Sequence, residues 1–275
     1  ASGGTTYAWS NSGGSNAVAT VSPTTNTTYT VTVTNANNCS ATASKLVTVN
    51  ANPTATITPA TATICEGTIA TLTANGGTSY TWSNSGGSNA AATFSPTTNA
   101  TYTVTVTNTA NCSATASRLV TVNANPTAAI SPATVAICNG SSATITASGG
   151  TQYAWSNSGG SNAAATFSPT TNTTYTVTVT AANTCTATAS RLVTVNALPS
   201  AAINGPTSIC SGLSATLTAS GGGTYAWSNS LGSAAAVTVS PTTATTYTVT
   251  VTNNSCTATA SQTVSVQSAP TAVIN

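Results

Sequence analysis

Charged side chains are almost absent from this chain of 275 residues. Lys45, Arg118, Arg191 and Glu66 are the only four, and His and Met do not occur. General acid–base catalysis needs groups that titrate near the working pH, and this composition supplies neither a carboxylate pair nor a Ser-His-Asp triad. Three cations also make no basic surface for nucleic acid. The composition therefore predicts a segment that is not an enzyme and does not bind nucleic acid.

Metal ligands, cofactor motifs and membrane spans are missing as well. Without His or a CxxC pair, no metal site is expected. The Gly-Gly loops at 13–14, 86–87 and 159–160 lack the Lys of a phosphate-binding loop, so we expect no cofactor. No run of about 18 apolar residues predicts a bilayer span. No signal peptide is visible at the start of the chain.

What the chain does contain is a strongly alternating strand pattern at 101–108. Tyr102, Val104 and Val106 share one face, while the intervening Thr residues share the other. β-Branched and aromatic residues at a period of two, ending in an Asn-containing turn, are typical of a half-buried strand. The same pattern recurs at 28–35, 174–180 and 246–253.

This recurrence divides the chain into repeats. The motif Tyr-x-Trp begins at residues 7, 80, 153 and 225, and a Pro near the start of each repeat falls at 53, 126, 199 and 270. We therefore predict an incomplete first repeat at 1–50, full repeats at 51–123, 124–196 and 197–267, and the start of a further repeat at 268–275. Two explanations stay open for the incomplete first repeat: an excerpt from a longer array, or strands donated by another chain.

Each full repeat reads as a set of short strands without helices. In the second repeat we expect extended segments at 54–58, 69–74, 80–83, 91–95, 101–108 and 113–123, about seven strands in all. This density predicts a two-sheet β-sandwich. The aromatic residues of the two recurring motifs are the expected core anchors: Trp9, Trp82, Trp155, Trp227, Tyr29, Tyr102, Tyr175 and Tyr247.

One cation interrupts the inward face of the last strand. Arg118 has the parity of the buried positions, and Lys45, Arg191 and Gln262 occupy the matching places in the other repeats. A β-bulge or edge position would turn this side chain outward. The alternative is a cation stacked on the neighbouring Trp.

The combined pattern resembles a known family of repeats. Cys65, Gly67, Leu72, the Tyr80/Trp82 pair and the 101–108 strand followed by Cys112 and Ser113 are similar to immunoglobulin-like and PKD-like repeats of large surface proteins in Bacteroidota. The resemblance covers essentially the whole chain. It implies an all-β tandem array of immunoglobulin-like sandwiches of about 73 residues each, exported through the type IX system, as in adhesins and gliding-motility proteins. Asn111 stands where relatives commonly carry Asp, so calcium binding is not carried over.

Seven cysteines occupy two places in the repeat and are the candidates for disulfides. A pairing within each repeat would close a loop of about 47 residues. In an immunoglobulin-like topology, however, the two places lie at opposite ends of the sandwich, which favours pairing between neighbouring repeats. Both schemes stay open, and both imply an oxidising, extracellular or cell-surface setting. The early and late cysteines are Cys65, Cys138 and Cys210, and Cys39, Cys112, Cys185 and Cys256.

The sequence therefore predicts a structural stalk or filament-forming segment of an extracellular protein. Its expected partners are neighbouring repeats, with self-association into fibres or bundles, because a surface with almost no charge lacks mutual repulsion. The alternative is an adhesive module whose loops at 84–89 and 157–162 recognise a glycan or another surface.

Overall fold

The structure is a computed structural model that describes residues 1–271. This part of the chain contains 24 strands and no helix. The chain divides into two compact units, Ala1–Asn123 and Ala124–Asn275, and each is described by itself. Of the predicted start of a further repeat at 268–275, residues 272–275 lie outside the described residues.

The first unit begins with a single antiparallel sheet. Its strands lie in the order β1-β2-β3, and Tyr29 and Val31 of β2 are buried. Residues 1–50 contain these three strands: β1 (Thr6–Trp9), β2 (Thr27–Thr34) and β3 (Ser40–Val47).

The second repeat contains seven strands in two sheets. One sheet has the order β4-β6-β8 and the other β5-β10-β9-β7. All neighbouring strands are antiparallel except β5, which runs parallel to β10. The strands are β4 (Thr56–Thr58), β5 (Ala62–Cys65), β6 (Ala70–Asn75), β7 (Ser79–Trp82), β8 (Ala91–Phe94), β9 (Ala100–Thr107) and β10 (Ser113–Asn123).

The second unit contains the third and fourth repeats, and both have the same sheet orders as the second repeat. The third repeat has β11 (Ala129–Ser131), β12 (Val135–Cys138), β13 (Ala143–Ser148), β14 (Gln152–Trp155), β15 (Ala164–Phe167), β16 (Thr173–Thr180) and β17 (Thr186–Asn196). The fourth has β18 (Ala202–Asn204), β19 (Ser208–Cys210), β20 (Ala215–Ser220), β21 (Thr224–Trp227), β22 (Ala236–Val239), β23 (Thr245–Asn253) and β24 (Cys256–Gln267).

This strand order is that of an immunoglobulin-like sandwich. In such domains strands A, B and E share one sheet and strands C, F and G share the other. In the second repeat β4, β6 and β8 take the places of A, B and E, while β7, β9 and β10 take those of C, F and G. The predicted all-β class, built from tandem immunoglobulin-like sandwiches, is confirmed.

The sequence analysis missed β5, because it assigned one extended segment to the start of the repeat. Pro59 ends β4, since it has no N–H to donate to a sheet. The chain then crosses to the other sheet and continues as Ala62–Cys65 beside the end of β10. The alternation in these four residues was too short to separate from the turn that follows.

Side chains from the two sheets meet in one core per full repeat. In the second repeat Leu72, Val104 and Val106 are fully buried at the centre. The Phe94 ring stacks on Tyr102 with centroids 3.8 Å apart, and Trp82 packs edge-on against Phe94 at 5.8 Å. Each fully buried aliphatic or aromatic side chain contributes about 1.5–3 kcal/mol, so these few residues hold the two sheets together.

Candidate functional site

The third repeat ends where two parallel strands finish side by side. β12 pairs with the end of β17, and the register sets Cys138 opposite Asn196. The chain then turns at Asn139 and Gly140, where the φ of Gly140 is 86°, a left-handed conformation that glycine adopts without strain. The Asn139 N–H donates to the Asn196 carbonyl at 2.9 Å. Cys138 is therefore held beside the residue from which the chain leaves this repeat.

The fourth repeat meets this point with the hairpin turn between β23 and β24. Asn253 pairs with Cys256 across the hairpin, and the turn residues Asn254 and Ser255 have φ values of 47° and 63°. Two left-handed residues in succession are the signature of a type I′ turn, whose twist matches that of the flanking strands. The turn places a buried Cys256 at the start of β24.

A disulfide joins the two repeats at this contact. Cys138 and Cys256 are bonded with their Cα atoms 5.5 Å apart, across a sequence separation of 118. Beside the bond, the Asn196 side-chain amide donates to the Asn254 carbonyl at 3.3 Å. We call Cys138, Cys256, Asn196 and Asn254 the disulfide joint.

Pairing within a repeat is wrong for these cysteines, for a geometric reason. In the third repeat Cys138 lies level with the end of β17, whereas Cys185 immediately precedes its start. The 11 residues of β17 separate the two by about 36 Å at about 3.3 Å per residue. Disulfide Cα atoms lie only about 4.4–6.8 Å apart. The pairing between neighbouring repeats is the one that the strand layout allows.

The remaining cysteines fall into two groups. Cys65 and Cys185 are in disulfide form, like Cys138 and Cys256. Cys39, Cys112 and Cys210 are free thiols, of which Cys39 and Cys210 are exposed.

An asparagine of the hairpin turn supports each linker between repeats. In the first unit the Asn108 side-chain amide donates to the Ala51 carbonyl at 2.9 Å, and the Cys112 thiol donates to the Asn50 carbonyl at 3.8 Å. In the second unit the Asn183 amide donates to the Ala124 carbonyl at 3.0 Å. The sequence analysis missed these asparagines, although Asn35 and Asn108 stand at the same distance before their cysteines.

Arg118 supports the crossing of the first strand from one sheet to the other. Its guanidinium donates to the Ile57 carbonyl at 3.1 Å and to the Ala60 carbonyl, on either side of Pro59. The pairing of β10 with β9 continues through Arg118 opposite Tyr102 without a bulge. The side chain therefore keeps its inward parity, and the prediction of a bulge is wrong.

The other repeats use the same place in related ways. Arg191 donates to the Ile130 carbonyl at 3.0 Å and to the Ala133 carbonyl. Gln262 donates to the Gly205 and Pro206 carbonyls, each at 3.1 Å. Lys45, at the matching place in the first repeat, is exposed. A neutral amide can therefore bridge the same crossing as a guanidinium.

Replacing Arg118 by Ala is expected to lower the free energy of unfolding of the second repeat by about 2–3 kcal/mol, because two carbonyls lose charge-assisted hydrogen bonds. Arg118→Gln is expected to lose less than half of that, since Gln262 shows that an amide reaches both carbonyls. It also removes the buried Arg118 Nε–H, which has no hydrogen-bond partner. Hydrogen-exchange mass spectrometry of peptides covering 56–75 measures both losses. Equal losses for the two variants would contradict this role of the side chain.

The tryptophans of the Tyr-x-Trp motif hold the loops that follow them. Trp82 is 5% exposed, and its indole N–H donates to the Asn89 carbonyl at 2.9 Å. The Trp82 backbone N–H donates to the Gly87 carbonyl at 3.0 Å. Gly86 packs against the Trp82 and Phe94 side chains, where an added Cβ would lie 2.6 Å from both. The loop at 84–89 is therefore fastened to the core by its own backbone.

The other predicted core anchors have comparable places, with one exception. Trp155 and Trp227 are buried and donate to the carbonyls of Asn162 and Ala234, each at 2.9 Å. Trp9 donates to the Asn16 carbonyl at 2.9 Å but is only half-buried. The tyrosines of the strand motif are all buried: Tyr29, Tyr102, Tyr175 and Tyr247.

The half-burial of Trp9 reflects an open apolar face in the first repeat. Trp9, Val31, Val33 and Lys45 line a groove of about 320 Å³ on the β1-β2-β3 sheet. In the full repeats a three-stranded sheet covers the corresponding tryptophan and valines. Donation of strands to this face by another chain stays a prediction.

The described residues bring no catalytic or metal-binding group together. Residues 1–271 contain no cluster of three or more His, Cys, Asp or Glu side chains that could hold a metal ion. None of their secondary structure is a helix that could span a membrane. The most elaborate polar arrangements in this part of the chain are the disulfide joint and the arginine bridges, and both of them act on the backbone.

Comparisons with known proteins give similarity in fold. No protein-family model matches the chain, and no curated protein does. Among solved structures, the titin I-band fragment I67–I69 has 13% identity and a TM-score of 0.40, covering 81% of this chain and 100% of its own. An ice-binding adhesin of an Antarctic bacterium has 13% identity and a TM-score of 0.37, with 89% and 81% covered. Sidekick-1 domains 1–4 have 12% identity and a TM-score of 0.29, with 95% and 90% covered. These values say nothing of function, and the fold assignment stands on the strand order.

Proposed function

We propose that this chain is a non-catalytic structural segment, a stalk or filament-forming part of an extracellular or cell-surface protein. The observation that carries the proposal is the disulfide joint, in which Cys138 and Cys256 fasten one sandwich covalently to the next. A covalent bond between consecutive domains fixes their spacing and resists separation. Such a bond serves a part whose task is mechanical.

The proposed location follows from the chemistry of the cysteines. Disulfides persist in oxidising compartments and are rare in reducing ones. Four cysteines are in disulfide form, two of them in the disulfide joint. The resemblance to Bacteroidota surface repeats exported by the type IX system belongs to the same proposal.

The proposal treats the repeats as separate domains with neighbouring repeats as their partners. The division is that of the sequence pattern: an incomplete domain at 1–50, full domains at 51–123, 124–196 and 197–267, and a further start at 268–275. Self-association into fibres or bundles is part of it, because edge strands with almost no Lys or Glu have little to prevent lateral pairing.

The adhesive alternative is not favoured by a specific contact. The loop at 84–89 uses its carbonyls at Gly87 and Asn89 to hold Trp82. The loop at 157–162 holds Trp155 in the same way, through Gly160 and Asn162. A loop fastened in this manner stabilises its own sandwich, and glycan recognition would require groups beyond these.

Small-angle scattering of the full chain under oxidising conditions tests the proposal. Repeats of about 35–40 Å laid end to end give a maximum dimension of roughly 130–150 Å. We expect this dimension in the oxidised chain and a broader distribution of distances after reduction. A compact particle of less than about 80 Å in both states would contradict a stalk.

A further inference from the structure

The disulfide joint gives the third and fourth repeats two covalent connections. One is the backbone, which leaves β17 at Asn196 and continues to β18. The other is the bond from Cys138, at the end of β12, to Cys256, at the start of β24. The two connections leave the third repeat from adjacent strands at the same level, because Cys138 lies opposite Asn196.

The strands that carry the second connection run along the length of their sandwiches. β12 is parallel to β17, so the chain from Ala124 to Cys138 travels in the same direction as the last strand of the third repeat. β24 is parallel to β19, so the chain from Cys256 to Gln267 does the same in the fourth repeat. Both segments therefore lead from the N-terminal end of a sandwich to its C-terminal end.

We infer that tension along this chain bypasses residues 139–255 through the disulfide joint. Between Ala124 and Ser268 the backbone is 144 residues long, whereas the route through Cys138 and Cys256 contains 26 residue steps. At about 3.5 Å per extended residue these routes reach about 500 Å and about 90 Å. The shorter one limits the extension, whatever happens to the strands between the cysteines.

The consequence is a division of labour among the strands. β11, β12 and β24 lie on the short route and bear the load. β13 to β17 and β18 to β23 lie inside the loop that the bond closes, together with the buried Trp155 and Trp227. Unfolding of these strands adds no length under tension, so they can refold while the load remains.

This inference goes beyond the proposed function and is tested separately from it. The route taken by tension is a property of the connectivity, and it can be measured whether or not the chain serves as a stalk. A compact scattering profile with a short force extension would contradict the stalk alone. An extended profile with a long force extension would contradict the bypass alone.

Force spectroscopy on the full chain measures the route. Bioorthogonal amino acids in place of Ala124 and Ser268, both exposed, carry the two handles. With the disulfide formed, we expect the stretched length between the handles to saturate near 90 Å. After a phosphine reductant is added to the same molecule, the length is expected to reach about 500 Å, a roughly fivefold increase.

Two variants provide the matched comparison. Cys138→Ser is expected to show the long extension without reductant. Cys210→Ser removes the equivalent cysteine of the fourth repeat, which is a free thiol, and is expected to behave like the unaltered chain. An oxidised, unaltered chain that extends to about 500 Å overturns the inference. If Cys138→Ser does not fold, the comparison before and after reduction of one unaltered molecule decides the question by itself.

Discussion

Loss of the Cys138–Cys256 bond is expected to lower the free energy of unfolding of residues 124–267 by about 4–5 kcal/mol. The bond closes a loop across a sequence separation of 118. In the chain-entropy account, a closed loop of this length restricts the unfolded ensemble strongly and so stabilises the folded state. Each sandwich has a small core of Val, Ala and a few larger residues, so this contribution is comparable to the stability of one repeat.

The loss also changes how the two repeats unfold. With the bond in place, opening of one repeat leaves the chain tethered to the other, which favours a joint transition. Without it, the third and fourth repeats are expected to unfold in two separate steps. Guanidinium titration of Cys138→Ser, followed by hydrogen exchange of peptides from each repeat, measures both effects.

The matched control is Cys210→Ser, which removes a thiol and no disulfide. We expect its titration to coincide with that of the unaltered chain under oxidising conditions. A Cys138→Ser titration that coincides with that of Cys210→Ser would show that the joint contributes no stability.

Truncation of Leu72 is expected to have a similarly large effect, a loss of about 3–5 kcal/mol in the second repeat. Leu72 is 0% exposed at the middle of β6, the central strand of its sheet. Its neighbours on the same face, Ala70 and Ala74, and Ala92 opposite on β8 are too short to fill the space that the side chain leaves. The cavity therefore persists and adds its cost to the lost burial.

Leu119→Ala is the control for this prediction, because Leu119 lies in the same repeat and is 52% exposed. Its replacement is expected to change the free energy of unfolding by less than about 0.5 kcal/mol. Hydrogen exchange of peptides covering Ala70–Asn75 compares the two variants within the intact chain. Equal protection in both would mean that Leu72 does not support the core.

The strands could be read from the sequence because their information is local. The alternation around Tyr102 predicted which side chains face inward, and Val104 and Val106 are fully buried. The strand Ser113–Asn123 begins and ends where the pattern predicted. In both cases a period of two and a turn residue lie within the strand itself.

The disulfide joint could not be derived in the same way, because it depends on a pairing between distant segments. The sequence placed the two cysteines of a repeat at opposite ends, which favours the scheme between repeats. Choosing that scheme required knowing that Val135–Cys138 lies in parallel beside the end of Thr186–Asn196. No local pattern encodes a parallel neighbour more than 50 residues away.

Arg118 shows the same limit from another side. Its inward parity was read correctly, and its partners were not. The carbonyls of Ile57 and Ala60 become available only because Pro59 ends one strand and the chain crosses between sheets. The sequence analysis had no strand on the far side of that crossing.

The position of the joint also bears on how such a gene can change length. A cysteine that pairs with a partner in the adjacent repeat, as Cys138 does with Cys256, follows a rule that is the same at every boundary. Recombination that inserts or deletes whole repeats leaves that rule intact at each new boundary. Tracts of different copy number therefore inherit complete cross-linking without any compensating substitution.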